Sequence, residues 1–299
     1  MSAPNHDPAA VRETFHRLLG ELRPKLHRYC ARMTGSVIDG EDVVQETLAD
    51  AIASFPTDGS VANPKGWLFR VAYTTALDFL RRRARQRAVA SDEDPDLIVD
   101  PVSTAQAREI AAASLHTFMR LPAGQRSSVI LMDVLGYSLQ EIGEITSTSL
   151  AAVKAALHRG RVHLRELAGE PDDRPPPMLA APERARLAAY VARFNAHDFD
   201  ALRDLLADDV RLDLVARRQL RGSSEVKEYF RQYALVDRWR MAAGFVDRLP
   251  AVLAYDRNDP SGRPAFFVLL DWREGELVNI RDFLFAPYAI EGADVIALE

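Results

Sequence analysis

The stretch AGEPDDRPPPMLAAP, residues 168–182, constrains this chain more than any other. Its three consecutive prolines lack amide hydrogens and hold φ at about −65°, so neither a helix nor an inner strand can run through them. They favour a stiff polyproline II spacer, and the chain must build separate bodies on its two sides. The patterning changes across the break. Helical periodicity fills the first part; helices and then alternating strand patterns fill the second. With 299 residues, there is room for two or three domains, each with its own core.

Before the spacer, VRETFHRLLGELRPKLHRYCARMTG, EDVVQETLADAIASF and NPKGWLFRVAYTTALDFLRRRARQR each repeat apolar residues three and four apart and predict three helices. Trp67, Val71 and Leu77 mark the apolar stripe of the third, with Trp67 in the core. Arg81, Arg82, Arg83, Arg85 and Arg87 gather at its C-terminal end, where the helix dipole favours cations. QRAVASDEDPDLIVDP, residues 86–101, is acidic and holds two prolines, so it reads as an extended linker. TAQAREIAAASLHTFMRLP and AGQRSSVILMDVLG predict two more helices. After the spacer, ERARLAAYVARFNAHDFDALRDLLADDV predicts two amphipathic helices, with Leu187, Tyr190, Val191 and Phe194 on the buried face of the first. VRLDLV, AGFVDRL, AVLAYD, RPAFFVLLDW and ELVNIRDFLFA then predict strands, which makes this an α+β domain.

Residues 138–167, SLQEIGEITSTSLAAVKAALHRGRVHLREL, predict two helices around a tight turn. Ser138 and Glu141 have the spacing of a capping box, so the first helix starts at Leu139. Thr146, Ser147, Thr148 and Ser149 supply turn and cap residues. In the second helix, Leu150, Val153, Leu157, Leu164 and Leu167 form the expected buried stripe. The opposite face shows Ala151, Ala152, Lys154, Ala155, His158, Arg159, Arg161 and Arg165. Small residues early on that face let backbone approach a major groove, and the cations reach bases and phosphates. An ordinary solvated face in a helical bundle has the same composition. The chain as a whole carries a formal charge of −5, so any nucleic-acid contact is local or shared with a partner.

The segment LPAGQRSSVILMDVLGYSLQEIGEITSTSLAAVKAALHRGRVHLREL resembles region 4 of bacterial sigma-70-type factors of the extracytoplasmic-function (ECF) group. GEDVVQETLADAI is similar to the polymerase-clamp helix of region 2, and NPKGWLFRVAYTTALDFLRRR to its −10-reading helix. The resemblance covers roughly residues 10–168. It implies that Asp42, Gln45, Glu46 and Asp50 meet the clamp of bacterial core RNA polymerase, with the flap as a second contact. It implies that Asn63, Lys65, Arg70, Tyr73, Thr74, Arg81 and Arg82 serve the −10 element. The −35 element falls to Ser149, Ala152, Lys154, His158, Arg159 and Arg161. Two positions depart from the family pattern: Thr74 stands where relatives often carry Asn, and Ser147 where the turn often carries Gly.

The C-terminal part is similar to SnoaL-like domains of the nuclear transport factor 2-like superfamily, cone-shaped α+β folds, most clearly in FNAHDFDALRDLLADDVRLDL and IRDFLFAPYAI. Strand alternation sets Asp282 among apolar residues, and Asp213, Trp239 and Tyr288 join it as a possible ligand pocket. The scattered histidines give no metal site, His158 and His163 being five apart, and no glycine-rich phosphate loop implies a cofactor. Cys30, the single cysteine, excludes an internal disulfide and fits a reducing cytoplasm. No run of about 18 apolar residues and no signal-peptide core point to a membrane.

The expected organisation is region 2 over 8–87, an acidic linker over 88–103, region 4 over 104–169, a proline-rich linker over 170–182 and a SnoaL-like regulatory domain over 183–299. The expected function is that of a non-enzymatic, cytoplasmic ECF sigma factor. It binds core polymerase and promoter DNA, and its fused domain contacts the sigma domains in place of an anti-sigma factor. Two alternatives stay open: a one-component helix-turn-helix regulator with a ligand-binding C-terminal domain, and a SnoaL-like enzyme with a DNA-binding tether.

Overall fold

The computed structural model describes residues 8–56, 58, 60–87, 113–168 and 174–298. The expected acidic linker, most of the helix expected over 104–122 and residues 170–173 lie outside the described residues. The chain divides into two compact units, Met1–Asp172 and Asp173–Glu299.

The first unit is helical. α1 (Pro8–Thr34), α2 (Val37–Ser54) and α3 (Pro64–Arg87) are followed by the short α4 (Leu115–Met119) and α5 (Ala123–Val129). α5 runs into one π-helical turn, Ile130–Val134, where an unbroken helix was expected. α6 (Leu139–Thr146) and α7 (Leu150–Ala168) complete the unit. Helix starts are set by side chains. Ser36 accepts amide hydrogens from Ile38 and Asp39 at the head of α2. Ser114 accepts that of Thr117, so a helix begins at Leu115 within the segment expected to be one continuous helix.

One continuous apolar core joins the early helices to the late ones. It runs from Phe15, Leu26 and Tyr29 on α1 through Phe69 on α3 to Phe118, Ile130, Tyr137, Ile142, Val153 and Leu164. Trp67 packs edge-on against Phe15 and Phe55, in agreement with its core assignment. α1 and α2 approach so closely at Gly40 that an added Cβ would lie 2.6 Å from the backbone of Ala31. Within this core the Tyr29 hydroxyl bonds to that of Ser127 at 2.8 Å, and the Phe69 and Tyr137 rings lie 5.1 Å apart. Arg126, 5% exposed, donates to the carbonyls of Met33, Met119 and Leu121. Burial pulls its pKa down to about 10, which leaves it charged at neutral pH.

The second unit has α8 (Ala181–Asn195), α9 (Phe199–Arg203), β1 (Leu206–Leu214), β2 (Arg218–Arg221), α10 (Ser223–Ala234), β3 (Trp239–Val246), β4 (Leu249–Asp256), β5 (Phe266–Arg273), β6 (Glu276–Asp282), a 3₁₀ turn (Pro287–Ile290) and β7 (Val295–Ala297). The sheet order is β2-β1-β6-β5-β4-β3-β7, antiparallel except for the β1–β6 pair. α8, α9 and α10 bury Tyr190, Phe194, Leu202 and Phe230. The side chain of Asn195 bonds both backbone groups of Met241 at 2.8 Å and so covers the open edge of β3. α10, β2 and β7 were not expected from the sequence.

Replacing Arg126 by Met keeps the volume but leaves three buried carbonyls without their donor. Denaturant unfolding followed by circular dichroism is expected to show a loss of about 2–4 kcal/mol.

Candidate functional site

Three surfaces bear on function. The first is the helix-turn-helix of α6 and α7. The capping box at Ser138 and Glu141 is complete in both directions. Ser147 takes the left-handed conformation, φ 56° and ψ 42°, that usually falls to glycine, and its N–H closes onto Gly143. Ser149, expected at DNA, caps α7 through the Ala152 amide at 3.2 Å. Val153, Leu157, Leu164 and Leu167 are buried as expected, but Leu150 is 52% exposed because it sits at the first helical position, ahead of the packed stripe. Ala151, Ala152 and Lys154 are exposed, and Ala155, His158 and Arg159 are half-exposed beside them. Arg161 leaves the expected set: its guanidinium holds Asp133 from two nitrogens, one at 2.9 Å, and that carboxylate is 3% exposed. A fork spent on a buried carboxylate is costly to withdraw for a base or phosphate.

The second surface lies on α2 and α3. Asp42 and Asp50 are exposed and Gln45 and Glu46 half-exposed along one side of α2, while Glu41, just ahead of them, is buried against Arg23. Glu46 and Arg82, expected to meet different partners, pair with each other at 2.7 Å; both are half-exposed, so the pair exchanges readily. Arg81 pairs with Asp78 and Arg83 with Asp39. Asn63 caps α3 through the Gly66 amide at 2.9 Å, and Thr74 bonds back to the Arg70 and Val71 carbonyls. Lys65 holds its ammonium 5.0 Å over the Tyr137 ring, and Tyr73 is half-buried. The start of α3, the helix expected to read the −10 element, thus lies against the start of the helix-turn-helix.

The third surface belongs to the second unit. Asp282 is fully buried: one carboxylate oxygen accepts the Tyr229 and Tyr233 hydroxyls, both at 2.8 Å, and the other accepts the Leu284 amide at 2.8 Å. Burial raises its pKa, partly offset by these bonds. The other residues of the expected pocket are not brought to it. Asp213 lies on the opposite face of the sheet, 3.7 Å from Arg281, because β1 alternates and Leu214 is the residue paired with Asp282. Trp239 shares the Asp282 face by register but packs on Phe266 from β3, two strands beyond β5, and Tyr288 sits on the 3₁₀ turn. The residues that the sequence reading missed are Tyr229 and Tyr233, one helical turn apart on α10. His197 bonds Asp237 at 3.3 Å in an exposed turn. Among the described residues no cluster of three or more His, Cys, Asp or Glu could hold a metal, and no helix is long and apolar enough to cross a membrane.

Comparison with known families follows this division. Residues 18–86 match Sigma-70 region 2, residues 115–164 match Sigma-70 region 4, and residues 187–276 match the SnoaL-like domain. The ECF RNA polymerase sigma factor SigJ of Mycobacterium tuberculosis is 30% identical over 227 residues, covering 70% of this chain and 69% of that one. The chain belongs to the ECF RNA polymerase sigma factors, in a form that carries a C-terminal SnoaL-like domain. SigG of the same species is 31% identical over 212 residues, 61% of this chain; the matched part spans 56%, little more than half, of SigG. A crystal structure of M. tuberculosis SigJ aligns at 22% identity and a TM-score of 0.33, over 88% of this chain and 93% of that one.

Between the unfolded carboxylate value of about 3.9 and its raised folded value, Asp282 keeps a proton that the unfolded chain has lost, so the second unit loses stability as pH rises through that window. Asp282→Asn removes this titration. Unfolding free energies measured from about pH 4 to pH 8 are expected to fall for the wild type relative to the variant as pH rises, then run parallel.

Proposed function

We propose that this chain is a promoter-specificity subunit. It binds bacterial core RNA polymerase through the exposed carboxylates and amide of α2, Asp42, Gln45, Glu46 and Asp50. It contacts the −10 element through Lys65, Arg70, Tyr73, Thr74, Arg81 and Arg82 and the −35 element through α7. Lys154, His158 and Arg159 reach the duplex, with Ala152 allowing close approach and Ser149 and Asn63 setting the helix starts. The polymerase carries out all the chemistry, and the SnoaL-like domain regulates access, acting where a separate anti-sigma protein would. The observation that carries this reading is the face of α7, with small exposed residues at its start and cations, led by the exposed Lys154, after them, at the end of an intact helix-turn-helix. The acidic chain needs positive charge only where it meets DNA, since polymerase supplies the rest of the contact.

The packing of α3 against α6 adds a condition. The two promoter elements are named for positions about 25 base pairs apart, about 85 Å of duplex at 3.4 Å per base pair. Lys65 and Tyr137 are 5.0 Å apart. Both elements are engaged together only after α3 and α6 separate, so the described state of the first unit is a closed one that polymerase opens.

Multi-round transcription with purified core polymerase on candidate promoters tests the function, with the full chain beside a form ending at Gly169. Transcripts dependent on either form are expected, and the difference between forms gives the sign of the regulatory effect. No transcript from either, together with tight operator binding by the chain alone, would instead fit a one-component regulator. The closed state has its own test: Lys65→Cys with Tyr137→Cys, joined by a short cleavable bismaleimide. Transcription is expected to fall on cross-linking and to return on cleavage to the level of the uncross-linked double variant, which lacks the Lys65 contact and sets the reference. Cys30 is fully buried and stays out of the reaction.

A further inference from the structure

The second unit contains a cavity of about 260 Å³, formed by Leu214, Tyr229, Tyr233 and Leu284, with Arg217, Arg218, Phe285, Gln232 and Glu228 around it. We propose that it binds a small organic anion, a carboxylate joined to an aryl or alkyl body. This goes beyond the sigma-factor reading and depends on none of it.

Charge comes first. Arg217 and Arg218 are adjacent and exposed, and among the described residues neither has an ion-pair partner. Elsewhere on this unit Arg231, Arg238 and Arg273 each hold a carboxylate at 2.7–2.8 Å. Arg217 and Arg218 thus bring two guanidiniums without a carboxylate to the mouth of an apolar cavity. The one carboxylate on the rim is already taken: Glu228 meets Arg231 at 2.8 Å and the Gln232 amide at 3.1 Å. Asp282, behind the cavity wall, is masked by the two tyrosine hydroxyls that it accepts.

Apolar surface comes second. Leu214, Tyr229 and Tyr233 offer buried hydrocarbon, and Phe285 stands 38% exposed at the rim. The Arg217 guanidinium lies 4.2 Å over the Phe285 ring. That stack keeps the cation at the mouth and its planar N–H groups free in the ring plane for a carboxylate.

Preorganisation comes third. The turn carrying the arginines is fixed by the Arg217 amide on the Leu214 carbonyl at 2.8 Å and by the Val215 amide on the Asp282 carbonyl at 3.0 Å. The same Asp282 holds the two tyrosines through its side chain. Rim and wall are therefore braced by one residue, and little ordering remains for a ligand to drive.

Calorimetric titration of the full chain with benzoate, phenylbutyrate and octanoate, each beside its neutral amide and beside inorganic phosphate, tests the proposal. At least one acid is expected to bind saturably, with its amide about tenfold weaker or worse. Arg217→Gln with Arg218→Gln is expected to cost about tenfold or more, and the exposed-pair control Arg273→Gln nothing. Equal binding of acid and amide would overturn the anion assignment, as would full affinity in the double variant with an unchanged circular dichroism spectrum. Phosphate competing as well as the acids would remove the organic body from the proposal and so overturn it. Absence of saturable binding by all three acids would overturn the site itself.

Discussion

Three backbone carbonyls from the ends of separate segments converge on the guanidinium of Arg126, and the first unit depends on that meeting. Met33 lies in the last turn of α1 and Met119 at the end of α4, where carbonyls have no partner within their own helix and carry the negative end of its dipole. Left bare in the core, they would bar α1 from packing on α4 and α5. One buried cation satisfies them together and fixes where α5 begins. The position of the helix-turn-helix follows, since α7 packs across α5 and α6. Two of the three bonds lie within the later helices, so of the three only the bond to Met33 crosses to α1, beside the Tyr29–Ser127 bond and the shared apolar core. A charged hydrogen bond of that kind is worth about 1.5–3 kcal/mol, one part of what holds the early and late helices together.

What could be read from the sequence was local. The Ser138–Glu141 capping box, the turn at Ser147 and the buried stripe from Val153 to Leu167 follow from residues within a turn or two of each other, and the structure holds them all. Leu150 breaks the stripe because periodicity says nothing about where packing begins along a helix. Arg161 looked like its neighbours Lys154 and Arg159. Only the fold brings Asp133, on the π-helical turn, beside it, and no spacing rule announces a partner 28 residues away. The same limit explains the C-terminal cavity. Alternation correctly set Asp282 inward, but its companions came from a helix that went unread, although Val226, Tyr229, Phe230 and Tyr233 carry the helical spacing plainly. Asp213 was chosen for proximity in chemistry, and strand parity sends it to the opposite face.

The opening problem of an acidic chain with a basic helix resolves into a division of labour along the surface. Arg81, Arg82 and Arg83 on α3 and Arg161 on α7 are neutralised by Asp78, Glu46, Asp39 and Asp133, while Lys154 and the small residues beside it stay open on α7. Internal pairing of this kind weakens attraction to arbitrary DNA, because the electrostatic term that drives non-specific binding counts only unneutralised cations. If the chain acts as proposed, it reads DNA poorly alone and gains its contacts once polymerase holds it in register.

The parallel pairing of β1 with β6 has a consequence for synthesis. β1 takes its central place in the sheet only when Glu276–Asp282 has been made, well after Leu206–Leu214. At about 5–20 residues per second, the ribosome needs roughly 4–14 seconds to cover that distance. The helical unit, whose contacts all lie upstream, can fold during this time. Each newly made molecule therefore passes through an interval in which its helical unit is complete and its SnoaL-like domain is not, and the strand order of the second domain sets how long that interval lasts.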